Sequence, residues 1–78
     1  MTVYILYSEK LKKYYVGITA DLQDRLYRHN NGESLATKAG TPWILVWSIE
    51  VPDRSTAMKL ERKIKGRGIQ RFLNEVKK

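Results

Sequence analysis

Tyr15, Arg25, His29 and Glu61 are the residues of this chain best equipped to do chemistry. A phenol, a guanidinium, an imidazole and a carboxylate can between them hold an anion, move a proton and ligate a hard cation. They are scattered in sequence, yet the periodicity around each aims it toward the buried side of its element. Polar and titratable groups aimed inward are costly unless something is gained. The chemistry such a set would serve is that of a phosphodiester.

The helical periodicity carries this reading. At about 100° per residue, Leu22 and Leu26 define the apolar arc of a first helix. His29 projects beside Leu22, and Arg25 lies on the edge of the same arc. The two are four residues apart, so they are neighbours on one face. Taken alone, Arg25 reads more plainly as a side chain snorkelling to solvent, and His29 as a boundary histidine with its bonds satisfied. In a second helix, Ala57, Leu60 and Ile64 form the apolar stripe with Met58 at one side. Glu61 falls between Ala57 and Met58, with Lys65 one turn later. A carboxylate there should be paired or hold a metal ion. The plainer alternative is a Glu61–Lys65 surface pair, worth only about 0.2–0.5 kcal/mol. Two helices that each carry charge inside the apolar arc favour one shared site. Tyr4 and Tyr15 add phenols from two strands, where packing is their commoner use. Gly17 weakens the second strand and marks a bulge or a close approach of backbone.

The elements that must position these groups follow in order. Val3 to Tyr7 is β-branched and aromatic, as is Tyr14 to Ile18, so the pair forms a hairpin around a polar turn. Asp21 caps a helix with Asp24 in its first turn, and Asn30-Asn31-Gly32 stops it. Glu33 to Pro42 reads as a loop. Trp43 to Val51 is apolar on both faces, which predicts a central strand covered on both sides. Trp43 and Trp47 are expected to point the same way, into the core. Asp53 or Ser55 starts the second helix, and Gly66 and Gly68 break it. Ile69, Phe72, Leu73 and Val76 then give a short amphipathic helix. The order β-β-α-β-α-α predicts an α/β (α+β) fold, a small three-stranded, mainly antiparallel sheet flanked by helices.

At 78 residues the chain is expected to be a single domain spanning 1–78. Without cysteine it has neither disulfide nor thiolate metal site to staple it. No apolar run reaches the roughly 18 residues that span a bilayer, and the N-terminus lacks signal-peptide character. A soluble, cytoplasmic protein is the expectation. The net charge of +7 is unevenly placed. Residues 1–53 hold six basic and six acidic residues, whereas residues 54–78 hold nine basic against two acidic. The basic third runs through Arg62, Lys65, Arg67 and Arg71 to Lys77 and Lys78. Such asymmetry suits a polyanionic partner, nucleic acid first. The competing reading is a solvated face that keeps a small protein soluble.

The order and spacing of these residues resemble the GIY-YIG nuclease signature. Val3-Tyr4, a ten-residue interval, then Tyr15-Val16-Gly17 carry it. It continues through Gly17-Ile18-Thr19, Asp21-Leu22, Arg25-Leu26, His29-Asn30 and Gly32, and resumes from Ala57 to Lys65 around Glu61. The resemblance is closest to the small stand-alone bacterial members (UPF0213-like). The chain departs from the pattern at Thr2-Val3-Tyr4, which lacks the leading glycine and isoleucine. A late family asparagine matches only loosely, to Asn74, and no appended DNA-binding domain of the kind used in DNA repair and intron homing is seen.

The resemblance implies hydrolysis of a nucleic-acid phosphodiester with one divalent metal, Mg²⁺ or Mn²⁺. Glu61 would be its protein ligand and Arg25 would neutralise the phosphate. Tyr15 is the first candidate to take the proton of the attacking water, with Tyr4 and His29 orienting or relaying; the base stays open among the three. Gly17, Thr19 and Asn74 would support the site. Lys12, Lys13, Arg28, Arg62, Lys65, Arg67 and Arg71 would hold the backbone of DNA in preference to RNA. Phosphate contacts carry no sequence information, so selectivity would be for structure. Two alternatives compete: a non-catalytic nucleic-acid-binding module on the same fold, and a domain that needs a protein partner for activity.

Overall fold

The computed structural model describes residues 1–35 and 37–76. Lys77 and Lys78, counted above in the basic third, lie outside the described residues. Six main elements form: β1 Thr2–Ser8, β2 Lys13–Thr19, α1 Leu22–Asn30, β3 Trp43–Glu50, α2 Arg54–Arg67 and α3 Ile69–Val76. A short 3₁₀ turn, Lys38–Gly40, sits in the loop before β3. The three strands form one antiparallel sheet in the order β2-β1-β3. Among the described residues no helix is long and apolar enough to cross a membrane.

β1, not β3, is the central strand. Every β1 residue except Tyr7 is buried, whereas Ile44, Leu45 and Ile49 of β3 are 56 %, 37 % and 43 % exposed. An apolar run marks a strand that could be covered on both faces, but pairing decides which strand is covered. The β1–β3 register shifts between Ile5 and Leu6, leaving Val46 as an extra residue. That bulge reverses the side-chain alternation. Trp43 and Trp47, expected on one side, therefore pack on opposite faces. Trp43 joins Tyr4 and Leu6, while Trp47 meets Phe72 edge-on at 5.0 Å.

The two faces make two small cores. One gathers Val3, Ile5 and Val16 from the sheet against Ala57, Ile64, Phe72 and Leu73 of α2 and α3. Fully burying a side chain such as Leu73 contributes about 1.5–3 kcal/mol. The other packs Tyr4, Leu6 and Trp43 against Tyr15 and against Leu22 and Leu26 of α1. Polar groups enter this second layer. The helix ends follow local chemistry. Asp53 caps α2 by accepting the Thr56 N–H at 2.7 Å. α2 runs through Gly66, and Gly68, with φ of 95°, ends it. A left-handed φ of that size suits glycine. Val76 closes α3 largely exposed, outside the stripe that buries Phe72 and Leu73.

Candidate active site

Antiparallel pairing places Tyr4 opposite Gly17 and Leu6 opposite Tyr15. Both tyrosines thus leave the sheet on the face that α1 covers. A Cβ at Gly17 would lie 2.5 Å from Tyr4 Oη and 3.1 Å from Tyr15 Cε1. Gly17 is therefore the gap across which the Tyr4 ring lies beside Tyr15. Thr19, buried at the end of β2, accepts the Asp21 N–H at 3.1 Å and shapes the turn into α1. Asp21 then caps the helix by accepting the Asp24 N–H at 3.0 Å. The cap fixes where the helical turns begin, and hence where Arg25 and His29 emerge.

His29 is 1 % exposed and Tyr4 fully buried. His29 Nε2 lies 2.9 Å from Tyr4 Oη, and its Nδ1 lies 2.7 Å from Thr37 Oγ1. The Tyr15 ring stands edge-on to His29 at 5.2 Å and lies 6.4 Å from Tyr4. Above them opens a cavity of about 530 Å³ lined by Tyr15, Asp24, Arg25, Arg28, His29, Glu33 and Ser34. Tyr15 lines that cavity; Tyr4 sits beneath it.

Burial first, and neighbouring charge second, set the protonation states. Burial, and next the neighbouring Tyr15, push the Tyr4 phenol up to about 12, while Arg25 pulls the other way. Burial, with the Arg25 cation second, holds the His29 imidazole below its ordinary value. Both groups are thus neutral at neutral pH. A phenol whose pKa rises from 10.0 to about 12 on folding contributes stability that is present below pH 10 and lost as pH climbs to 12. The depressed histidine contributes stability that is present above pH 6.5 and lost as pH falls below it. Urea unfolding across pH should show both limbs, and Tyr4→Phe should flatten the alkaline one relative to the native chain.

The family model of the GIY-YIG catalytic domain matches residues 1–71. This chain belongs to the GIY-YIG family. That membership places it in a nuclease family. The GIY-YIG domain is also 42 % identical over 52 residues to UPF0213 proteins of Yersinia pestis (strain Pestoides F) and of Yersinia pseudotuberculosis serotype O:1b (strain IP 31758). Those matches cover 65 % of this chain and 55 % of each relative, so the match spans about half the length of these curated relatives. No solved structure matches the chain.

The remaining expected residues of the GIY-YIG domain are more dispersed. Glu61 projects from α2 with its side chain 25 % exposed, and its carboxylate is 3.8 Å from Lys65 Nζ. It does not line the cavity, but its charge reaches Tyr4 and raises that phenol further. No hydrogen bond occupies its oxygens among the described residues, and no group of three or more His, Cys, Asp or Glu could hold a metal there. One loosely paired carboxylate fits a hard cation that keeps most of its waters. Asn74 is exposed on α3, apart from the cavity. Four of the expected phosphate-binding cations sit in exposed ion pairs: Lys12 with Glu9, Arg28 with Asp24 at 2.9 Å, Lys65 with Glu61 and Arg67 with Glu75. Lys13, Arg62 and Arg71 are exposed and in no ion pair among the described residues.

Sequence reasoning missed Thr37, which is 1 % exposed and bonded to His29. It also missed the acidic rim of Asp24 and Glu33. Thr37 lies in an irregular loop, where no periodicity announces which way a side chain turns. The pair of hydrogen bonds between the Asn30 side chain and the Trp43 backbone, with Oδ1 accepting the N–H at 2.5 Å and Nδ2 donating to the carbonyl at 3.1 Å, was equally invisible. Asn30 reads as a helix stop, and its tertiary use depends on where β3 returns.

Proposed function

We propose that this GIY-YIG domain hydrolyses phosphodiester bonds in nucleic acid, DNA in preference to RNA, with Mg²⁺ or Mn²⁺ held by Glu61. The observation that carries the reading is the gathering of the Tyr15 phenol, a neutral imidazole and two guanidinium groups around one open cavity, with the Tyr4 phenol buried beneath it. Arg25 and Arg28 give that cavity its affinity for phosphate, and the guanidinium fork suits phosphate oxygens. Arg25 then stabilises the charge that builds on the phosphorus oxygens as the attacking water closes. When bound, the metal supplies Lewis-acid polarisation of the phosphate and stabilises the leaving oxygen.

The two phenols divide the proton work. Tyr4 is buried and held protonated, so it does not accept the proton. Tyr15 lines the cavity, where a water can meet it, and takes the proton of the attacking water. Arg25 lines the same cavity as Tyr15. Tyr4 and His29 form the buried support under this wall. Asp24 competes with phosphate for Arg28, and an exposed pair of this kind is weak enough in water to open.

The test is cleavage of labelled plain, nicked, forked and single-stranded DNA and RNA in Mg²⁺, Mn²⁺ or EDTA. Cutting that needs metal and favours a branched or nicked duplex is the expected result. Binding in EDTA should weaken with salt, with a log–log slope near −0.9 per phosphate contact on duplex DNA. Filter binding between low and physiological salt measures it. Salt-sensitive binding without cutting under any condition would leave a binding module on this fold, and binding indifferent to salt would remove the phosphate-contact reading.

A further inference from the structure

We propose that Thr37 is a positioning residue that fixes the tautomer of His29 and, through it, the direction in which the Tyr4 hydroxyl points. This rests on the reading of the cavity as the hydrolytic site. Thr37 Oγ1 is 2.7 Å from His29 Nδ1, in a buried contact eight residues apart. On the far side of the ring, Nε2 is 2.9 Å from Tyr4 Oη. Both ring nitrogens are thus occupied, and a neutral imidazole has one donor and one acceptor. The question is which nitrogen carries the proton.

The Ser34 carbonyl decides it. Thr37 Oγ1 donates its hydroxyl proton to that carbonyl, 3.5 Å away. Toward the imidazole the same oxygen can then only accept, so Nδ1 carries the proton and gives it to Thr37 Oγ1. Nε2 is left as the acceptor, and the Tyr4 hydroxyl donates to it. In the opposite tautomer Nδ1 would be a bare acceptor, and Thr37 would have to withdraw its proton from Ser34 to meet it. The arrangement is a directed chain from Tyr4 to His29 to Thr37 to Ser34.

The surroundings hold Thr37 to this task. Its carbonyl accepts Trp43 Nε1–H at 2.6 Å and Gly40 N–H at 3.1 Å, and its N–H donates to the Ser34 carbonyl at 3.1 Å. Ser8 Oγ on β1 donates to the Gly40 carbonyl at 2.7 Å. Asn30 clamps the Trp43 backbone from α1. A loop tied to β1, β3 and α1 at these points presents the Thr37 hydroxyl to the imidazole. Partners that orient an imidazole in this way fix its tautomer.

His29 is the chain's single histidine, so its ring nitrogens are read without assignment. The experiment is ¹⁵N–¹H correlation of the imidazole in native protein, Thr37→Val and Thr37→Ser, with kcat and KM for each on the best cleaved substrate. Native protein should show a neutral ring protonated on Nδ1. Thr37→Val should shift population to the Nε2–H form and lower kcat roughly 10- to 100-fold with KM little changed, the range of lost second-layer partners. Thr37→Ser should restore both. A native ring protonated on Nε2 overturns the proposal, whether or not Thr37→Val folds. So does a folded Thr37→Val chain with an unchanged tautomer and kcat. If native protein cuts nothing, the hydrolytic reading fails, while the resonances still decide the role of Thr37.

Discussion

Glu61→Ala is expected to bring metal-dependent cleavage down by about 10³-fold, the scale on which removal of one preorganised electrostatic group is felt. The carboxylate is partly exposed and only loosely paired to Lys65, so its removal opens no large cavity and strands no buried partner. The fold should survive, and thermal unfolding followed by circular dichroism should differ little from native. Glu61→Gln makes the sharper comparison, because it keeps shape and loses charge. Activity should be as low in Glu61→Gln as in Glu61→Ala if the residue ligates a hard cation, which needs the anion. Mn²⁺ offers a second readout: its paramagnetism should broaden α2 resonances around residue 61 in native protein and spare them in both variants. Cleavage that persists in Glu61→Gln would move the cation elsewhere, toward the acidic rim of Asp24 and Glu33.

The placement of Glu61 shows what a sequence can and cannot carry here. Helical periodicity located the inward-facing His29 on α1 and the partly buried Glu61 on α2, because period and packing are coupled locally, whereas Arg25, expected toward the buried side, is exposed. His29 is buried with both ring nitrogens engaged, as its position beside Leu22 requires. The arc does not say which face of the sheet each helix covers. α1 packs on the Tyr4 face, while α2 buries Ala57 and Ile64 on the Val3 and Ile5 face. Glu61 consequently approaches the phenols from another direction than Arg25 does, and it acts on Tyr4 through its field. A spacing argument would have made these two groups equivalent.

The strands make the same point from hydrophobicity. β3 is the most apolar segment of the chain and yet lies at an edge, because β1 has taken the centre between two partners. Its bulge at Val46 sends Trp43 to one layer and Trp47 to the other. A bulge changes nothing in composition and inverts everything in direction. It matters for the site, since Trp43 now stands 6.2 Å from Tyr15 and donates to the Thr37 carbonyl. The layer of Tyr4, Tyr15 and His29 is therefore supported from β3 by a residue that the unbroken alternation would have put beside Trp47.

Arg25→Ala tests the electrostatics of that layer most directly. Arg25 is exposed, so its loss should leave stability nearly unchanged. Cleavage should fall about 10²- to 10³-fold, equivalent to about 2.7–4 kcal/mol of transition-state stabilisation. Arg25→Lys should recover only part of this, since a point charge lacks the planar fork that matches phosphate oxygens. A second measurement is independent of turnover. The Arg25 cation helps to hold the His29 imidazole below its ordinary value, by disfavouring a second positive charge beside it. Removing the guanidinium should move the His29 titration upward, toward 6.5, without reaching it, because burial is the larger cause and persists. Titration of the single imidazole by NMR reads the shift. A lost rate with an unmoved titration would mean that Arg25 acts on the substrate from outside the cavity, and a moved titration with an intact rate would mean that phosphate is neutralised by Arg28 instead.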